Sequence, residues 1–328
     1  MKTEVKKITA ESLREASELI RAGELVAFPT ETVYGLGANA FDDDAVKRIF
    51  QTKGRPSDNP LIAHVHTDYD LKKLVDFDPP YAEKLRKAFL PGPLTMVYPS
   101  TNKVSPFVSA GGSTLAVRVP SHRGAQSFLK EVDLPVVAPS ANRSKHVSPT
   151  SASHVLFDFD GQIPLILDGG RSEGGIESTV LDVTGEIPLI LREGLITREM
   201  IASVTGKCEK YVRKEGEIAR SPGMMYKHYA PACPAYLCES AEEGVALYRK
   251  LDQEGKNPYL MAGGVCLREL PPLRLLSLGD TPKEMAANLY EKLREGERVA
   301  GAVVAIRPKE QDGIMAGVMD RLTRACRS

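Results

Sequence analysis

The chain has 328 residues, 42% of them apolar, and its 43 Lys plus Arg are balanced by 43 Asp plus Glu. A balanced charge gives the whole molecule no field that would draw in nucleic acid or an anionic membrane, so any anion site must be a local cluster. The length suggests about two domains; no apolar run approaches the roughly 18 to 20 residues of a membrane span, and the first residues lack the apolar core of a signal peptide. A cytosolic, membrane-free protein is therefore expected.

Residues 9–22 read as a helix, with Leu13, Ala16 and Ile20 on one face, Ser12 and Glu15 spaced as a capping box and Gly23 as the stop. Residues 25–28 follow as a strand. A second helix should begin at Asp42, Asp43 and Asp44, whose charge suits the positive end of a helix dipole, and carry Val46, Ile49 and Phe50 inward. Apolar runs at 61–65, 94–98, 115–119, 136–138, 165–167, 179–183 and 189–191 read as strands with helical patterns between several of them, which makes the class mixed α/β. Residues 207–234 are charged, then Pro- and Gly-containing, without regular apolar period, and read as a linker. Beyond them, strands at 235–238, 259–262 and 302–306 alternate with helices near 241–253 and 282–294, the pattern of a small second α/β domain.

The five cysteines, Cys208, Cys233, Cys238, Cys266 and Cys326, are odd in number and widely spaced. That spacing fits neither a disulfide framework nor a zinc clamp, and they read as buried small apolar residues.

Chemistry-bearing residues gather in loops after strands and helices. Lys53 and Arg55 stand two apart on a turn set by Gly54 and Pro56, where both cations can face one anion and Arg can grip phosphate oxygens bidentately. The alternative is a helix C-terminus decorated with cations. Ser140 and Asn142 follow the strand 136–138, at the kind of strand end where open α/β sheets hold ligands; an ordinary Ser/Asn turn is the other reading. The segment 29–37, read as a loop, holds Gly35 and Gly37 but not the tight glycine turn of a dinucleotide site. No GxxxxGK[ST] occurs, and Thr30 and Thr32 read as hydroxyls for a small polar substrate. His64 and His66, two apart on a strand, share a face and make at most half a metal site. Arg118 interrupts an apolar strand and needs an anionic partner, either a substrate carboxylate or an internal acid. Glycine turns at 110–113 and 169–175, with Glu177, Ser178 and Thr179, can offer backbone N–H groups to anions.

Taken in order, FPTETVYGLGANA at 28–40, KGRPSDNPL at 53–61, APSANRSKHVSPT at 138–150 and ESTV at 177–180 resemble the Sua5/YrdC family of threonylcarbamoyl-AMP synthases. SPGMMYKHYAP at 221–231 is similar to the linker of the longer, Sua5-type members, and GVMDRLTRA near the end to their C-terminal domain. The resemblance implies a YrdC-like catalytic domain at 1–206, a twisted mixed sheet with a deep basic cavity. It also implies a linker at 207–234 folding over the active site and a Rossmann-like domain at 235–328. It implies Lys53, Arg55, Ser140 and Asn142 as the catalytic set around the nucleotide phosphates. Asn59, Thr114, Ser148, Arg192 and Tyr229 fall where the family contacts ATP, and Thr32, His64, Arg118, the Ala138 backbone and Ser178 where it contacts threonine. One departure is Arg192-Glu193-Gly194, where the family more often has Arg-Pro-Gly.

The implied reaction joins L-threonine, bicarbonate or CO2 and ATP into L-threonylcarbamoyladenylate, with Mg2+ carried on the phosphates, for tRNA N6-threonylcarbamoyladenosine formation by downstream transfer machinery. Two rivals stand beside it. A non-catalytic RNA-binding module would use Lys53, Arg55, Arg118, Arg143 and Lys145, but zero net charge and no Trp oppose it. Carbamoyl transfer in metalloenzyme maturation would need zinc-finger Cys pairs that the chain lacks.

Overall fold

The first helix forms for local reasons. Thr9 caps α1 (Ala10–Arg21) by accepting from the Ser12 amide, and the Ser12 hydroxyl answers at the Thr9 amide. The capping box is thus Thr9 and Ser12, one turn earlier than the expected Ser12 and Glu15. Glu15 is instead free to pair with Lys6, 2.7 Å away. Asp42 caps α2 (Asp43–Lys53) through the Asp44 and Ala45 amides, and Gly54 ends it in the left-handed conformation that a residue with Cβ adopts only with strain.

The structure is a computed structural model describing residues 2–212, 229–264 and 270–326. Its described residues fall into two compact units, one of 2–144, 149–172 and 177–212, the other of 145–148, 173–176, 229–264 and 270–326. The linker expected at 207–234 lies largely outside the described residues, as does its expected closure over the site.

In the first unit, β1 (Glu4–Lys7), β2 (Val26–Phe28), β3 (Gly35–Asn39), β4 (Ile62–His64), β5 (Leu94–Pro99) and β6 (Thr114–Arg118) share one sheet with five later strands. These are β7 (Val136–Val137), β8 (Leu165–Asp168), β9 (Thr179–Asp182), β10 (Leu189–Arg192) and β11 (Glu209–Lys210). The order is β1-β8-β2-β3-β7-β4-β6-β5-β9-β10-β11, a mixed sheet with parallel pairs such as β4 with β6 and antiparallel pairs such as β5 with β6.

Period-two alternation divides the side chains between the sheet faces. Ala27, Ala63, Leu94, Met96, Val117, Val137 and Leu181 join one large core with Val46 and Ile49 of α2. α3 (Pro80–Phe89), α5 (Ala152–Phe159) and α6 (Arg198–Thr205) add Leu85, Val155 and Ile201 to it. On the opposite face Val26, Phe28, Val136, Leu165 and Leu167 pack under α1 and α4 (Arg123–Val132). None of that second cluster comes from β4, β5, β6, β9 or β10. There the same face carries a small cluster of Ile62, Val97, Ala116 and Val180.

The second unit is a four-stranded, wholly parallel sheet, β12 (Ala235–Cys238), β15 (Ala302–Ile306), β13 (Pro258–Ala262) and β14 (Leu275–Ser277) in spatial order. Its central strand β15, AVVAI, is buried throughout, as expected of a parallel strand covered on both faces. α7 (Ala241–Gln253) covers it with Tyr248 and Leu251, while α8 (Pro282–Val299) packs with α9 (Ile314–Ala325).

The expected strands and helices are present, with corrections. Gly35 and Gly37 lie in a strand rather than a loop, because β2 and β3 form an antiparallel pair joined by residues 29–34. A Cβ at Gly37 would stand 2.8 Å from Val136 Cγ1, so the glycine serves close strand packing. α8 runs to Val299, past the expected 294, and β14 and α9 have no counterpart in the sequence reading. Cys208 and Cys238 are buried but Cys233 and Cys326 only half-buried, and Cys266 lies outside the described residues. Among the described residues no helix is long and apolar enough to cross a membrane.

Candidate active site

A row of polar side chains crosses the sheet where the apolar alternation predicts Val or Leu. Arg118 stands opposite Thr95 on one neighbouring strand and opposite His64 on the other. Cross-strand partners share a face, so all three project from the side that carries the small Ile62 cluster. All three are buried, and Arg118 finds the internal acid that the sequence left as one of two options: its Nη2 lies 2.8 Å from Oε1 of Glu31. Glu31 reaches it from the loop between β2 and β3. That loop is tied by the Thr30 hydroxyl donating to the Val33 carbonyl at 2.6 Å and by the Ser172 hydroxyl donating to the Thr30 carbonyl at 2.9 Å. The Thr30 hydroxyl, read as a substrate contact, is therefore used inside the turn, with Thr32 Oγ1 2.9 Å from it.

At the end of the row Ser178 Oγ lies 2.7 Å from Thr95 Oγ1. Arg192 donates from Nε and Nη2 to the Ser178 carbonyl at 3.1 and 3.0 Å, which joins a residue expected at ATP to one expected at threonine. Gly194 closes the same corner: a Cβ there would sit 2.4 Å from the Thr179 amide nitrogen. Glu193, the departure from Arg-Pro-Gly, lies 3.7 Å from Lys210 across β10 and β11, which partly neutralises the acid beside Arg192.

Burial first, and the Arg118 charge second, push the His64 imidazole down to about 3. It is neutral at pH 7, with Nδ1 3.1 Å from the Ile62 carbonyl. An unfolded imidazole takes its proton near 6.5. Between these values the unfolded chain binds the extra proton, so this residue makes stability fall as pH falls, by up to about 1.4 kcal/mol per pH unit. Urea unfolding from pH 7 to pH 4 should therefore show wild type losing stability more steeply than His64→Gln. Parallel curves would mean that the folded chain protonates His64 in that range. His66 lies beyond the end of β4, and its Nε2 is 3.2 Å from Asp133.

The second constellation lies at the other end of the same strands. Ala138 donates to the Ile62 carbonyl at 3.0 Å, and the chain then turns through Ser140 and Asn142, whose side chains bond each other at 2.6 Å. Lys53, buried at the end of α2, donates Nζ to the Ser140 carbonyl at 2.5 Å and to the Asn142 carbonyl. Lys53, Ser140 and Asn142 thus meet, although 87 residues separate the first two. Arg55 donates to the Asn59 and Pro60 carbonyls at 3.2 and 3.1 Å. The Asn59 amide is 1% exposed, and neither of its polar atoms is hydrogen-bonded among the described residues. Thr114 opens β6 at this end and is half-buried.

Ser148 and Tyr229 belong to the second unit, where Tyr229 stacks on Tyr290 with ring centres 5.3 Å apart. Among the described residues no group of three His, Cys, Asp or Glu is placed to hold a metal ion. A cavity of about 760 Å³ opens elsewhere, lined by Tyr69, Leu71, Val75 and Arg86 among others, and none of the expected site residues lines it. Two residues of the row, Thr95 and Glu31, were missed in the sequence. Thr95 was visible only as a hydroxyl inside the apolar run 94–98, and Glu31 as the acid between two threonines already singled out.

A family model described as "Telomere recombination", that of Sua5, YciO and YrdC proteins, matches residues 18–194, and one described as "Threonylcarbamoyl-AMP synthase, C-terminal domain" matches 196–326. The curated threonylcarbamoyl-AMP synthase of Pyrococcus abyssi is 42% identical over 321 residues, 95% of this chain and 93% of the relative. That of Bacillus subtilis is 40% identical over 319 residues, 95% and 92% of the two chains. The crystal structure of P. abyssi Sua5 complexed with L-threonine superposes with a TM-score of 0.90 at 41% identity, covering 99% of this chain and 96% of that one. E. coli YciO, at 24% identity and a TM-score of 0.52 over 59% of this chain, shares the fold. With both domain models matched over consecutive stretches and relatives of 40% identity or more over nearly the whole chain, the chain belongs to the Sua5/YrdC family, in the form that carries the Sua5 C-terminal domain.

Proposed function

We propose that this chain condenses L-threonine, bicarbonate or CO2 and ATP into L-threonylcarbamoyladenylate and diphosphate, the activated precursor for threonylcarbamoylation of tRNA. The observation that carries this reading is the layout along β4 and β6. Arg118 and His64 stand at one end, while Asn59, Thr114 and Ser140 stand at the other. Thr114 and Arg118 are four residues apart on one strand, about 13 Å at 3.3 Å per residue. That span suits an amino acid carboxylate at one end and a triphosphate at the other, with the reacting carbamate between them.

The threonine amine attacks CO2 to give a carbamate and releases a proton. A carbamate oxygen then forms a bond to the α-phosphorus as the bond to the diphosphate oxygen breaks. Such a transfer asks the protein for alignment and charge neutralisation rather than for a nucleophile of its own. Arg118, His64, Ser178 and Thr32 would hold threonine. Lys53, Arg55, Asn59, Thr114, Ser140, Asn142 and Arg192 would serve the nucleotide. Mg2+ fits this turn poorly as a protein-held ion, since the Ser140 and Asn142 carbonyls already bind the Lys53 ammonium. It would be carried by triphosphate oxygens and water.

The test is diphosphate release from ATP by the full chain with labelled bicarbonate. Release that depends on threonine, with label entering an adenylate, is the expected result. Release unaffected by threonine, or none at all, would reject the reading.

A further inference from the structure

The Glu31–Arg118 pair is buried, but the protein does not complete it. The side chains are 13% and 5% exposed. Among the described residues neither Glu31 oxygen accepts a hydrogen bond, and neither Nε nor Nη2 of Arg118 donates one. A buried ion pair offsets its desolvation only when the remaining lone pairs and N–H groups are bonded as well. Beyond the 2.8 Å contact between Oε1 and Nη2, Oε2 of the acid and Nε of the cation are left without a hydrogen bond among the described residues. A simple anion at this point would meet Arg118 but be repelled by Glu31, and a simple cation would face the reverse. A small molecule with both charges on neighbouring atoms satisfies both residues at once, and an α-amino acid zwitterion has that form.

We propose that Glu31 binds the α-ammonium group of the substrate while Arg118 binds its carboxylate, so that the pair selects α-amino acids over α-hydroxy acids; this rests on the threonine reading given above. Glu31 is held ready for that contact. Thr30 Oγ1 accepts from the Thr32 and Val33 amides at 3.2 and 3.3 Å, which fixes the turn just after Glu31, and Ser172 fixes it just before. A carboxylate positioned in this way loses little freedom on binding. His64, kept neutral beside Arg118, adds no second positive charge to repel the ammonium.

Calorimetry on the full chain, with L-threonine and with 2,3-dihydroxybutanoate, tests the assignment. The second ligand keeps the carboxylate and side-chain hydroxyl but has a hydroxyl in place of the ammonium. Glu31→Gln should weaken threonine by about 10- to 100-fold. The analogue should bind that variant unchanged or more tightly, because its carboxylate no longer meets Glu31. Glu31→Asp, which keeps the charge, should retain the preference for threonine. Equal weakening of both ligands would reduce Glu31 to a support for Arg118 and overturn the proposal, as would unchanged threonine binding in Glu31→Gln. If Glu31→Gln does not fold, as read from its thermal melt, wild type decides: equal affinity for the two ligands overturns the assignment. Wild type that binds no threonine fails the functional reading itself, a result distinct from threonine binding that ignores position 31.

Discussion

Lys53→Met is expected to lower threonine-dependent diphosphate release by roughly 100-fold or more, about 3 kcal/mol of barrier, while leaving a folded chain. Methionine keeps the length and apolar stem of lysine, so the packing at the end of α2 is preserved. What disappears is the ammonium that the Ser140 and Asn142 carbonyls hold at the turn. In the proposed reaction its charge would act where diphosphate leaves, and such a cation in a site shielded from water is worth far more than at the surface. The loss should fall on turnover more than on threonine affinity, because Arg118 and His64 stand at the opposite end of β4 and β6. Turnover within threefold of wild type would remove Lys53 from the reaction. A loss seen wholly as weaker threonine binding would place its charge at the wrong end of the strands.

Arg118→Leu is expected to cost about 3 to 5 kcal/mol of folding stability, since it leaves the Glu31 carboxylate buried without its counter-charge. Glu31→Leu should destabilise for the converse reason. The double variant Glu31→Leu with Arg118→Leu should regain most of the loss, because apolar residues of similar volume replace a buried pair at little net cost. Threonine-dependent turnover should stay abolished in all three. Urea unfolding of the four proteins gives the coupling directly. Additive losses in the double variant would show that the two charges do not depend on each other, and recovered turnover would show that the pair is not part of the site.

Sequence alone determined the parts. The period of apolar residues, Asp42 before α2, Gly54 after it and the balanced charge are local or global properties, and local hydrogen bonding and burial enforce them wherever the chain goes. The ordered motifs around Lys53, Ser140 and Ser178 were likewise legible, since each lies on one short turn. Only the tertiary structure decided which parts meet. The order β7-β4-β6-β5-β9 places Ser140, His64, Arg118, Thr95 and Ser178 along one stretch of sheet, and strand order is set by packing between segments far apart in the chain. Whether Arg118 took an internal acid or waited for a substrate was open for the same reason. Its strand fixes the face on which it stands, but the acid arrives on a loop 87 residues earlier, and no periodicity within either segment can encode that encounter.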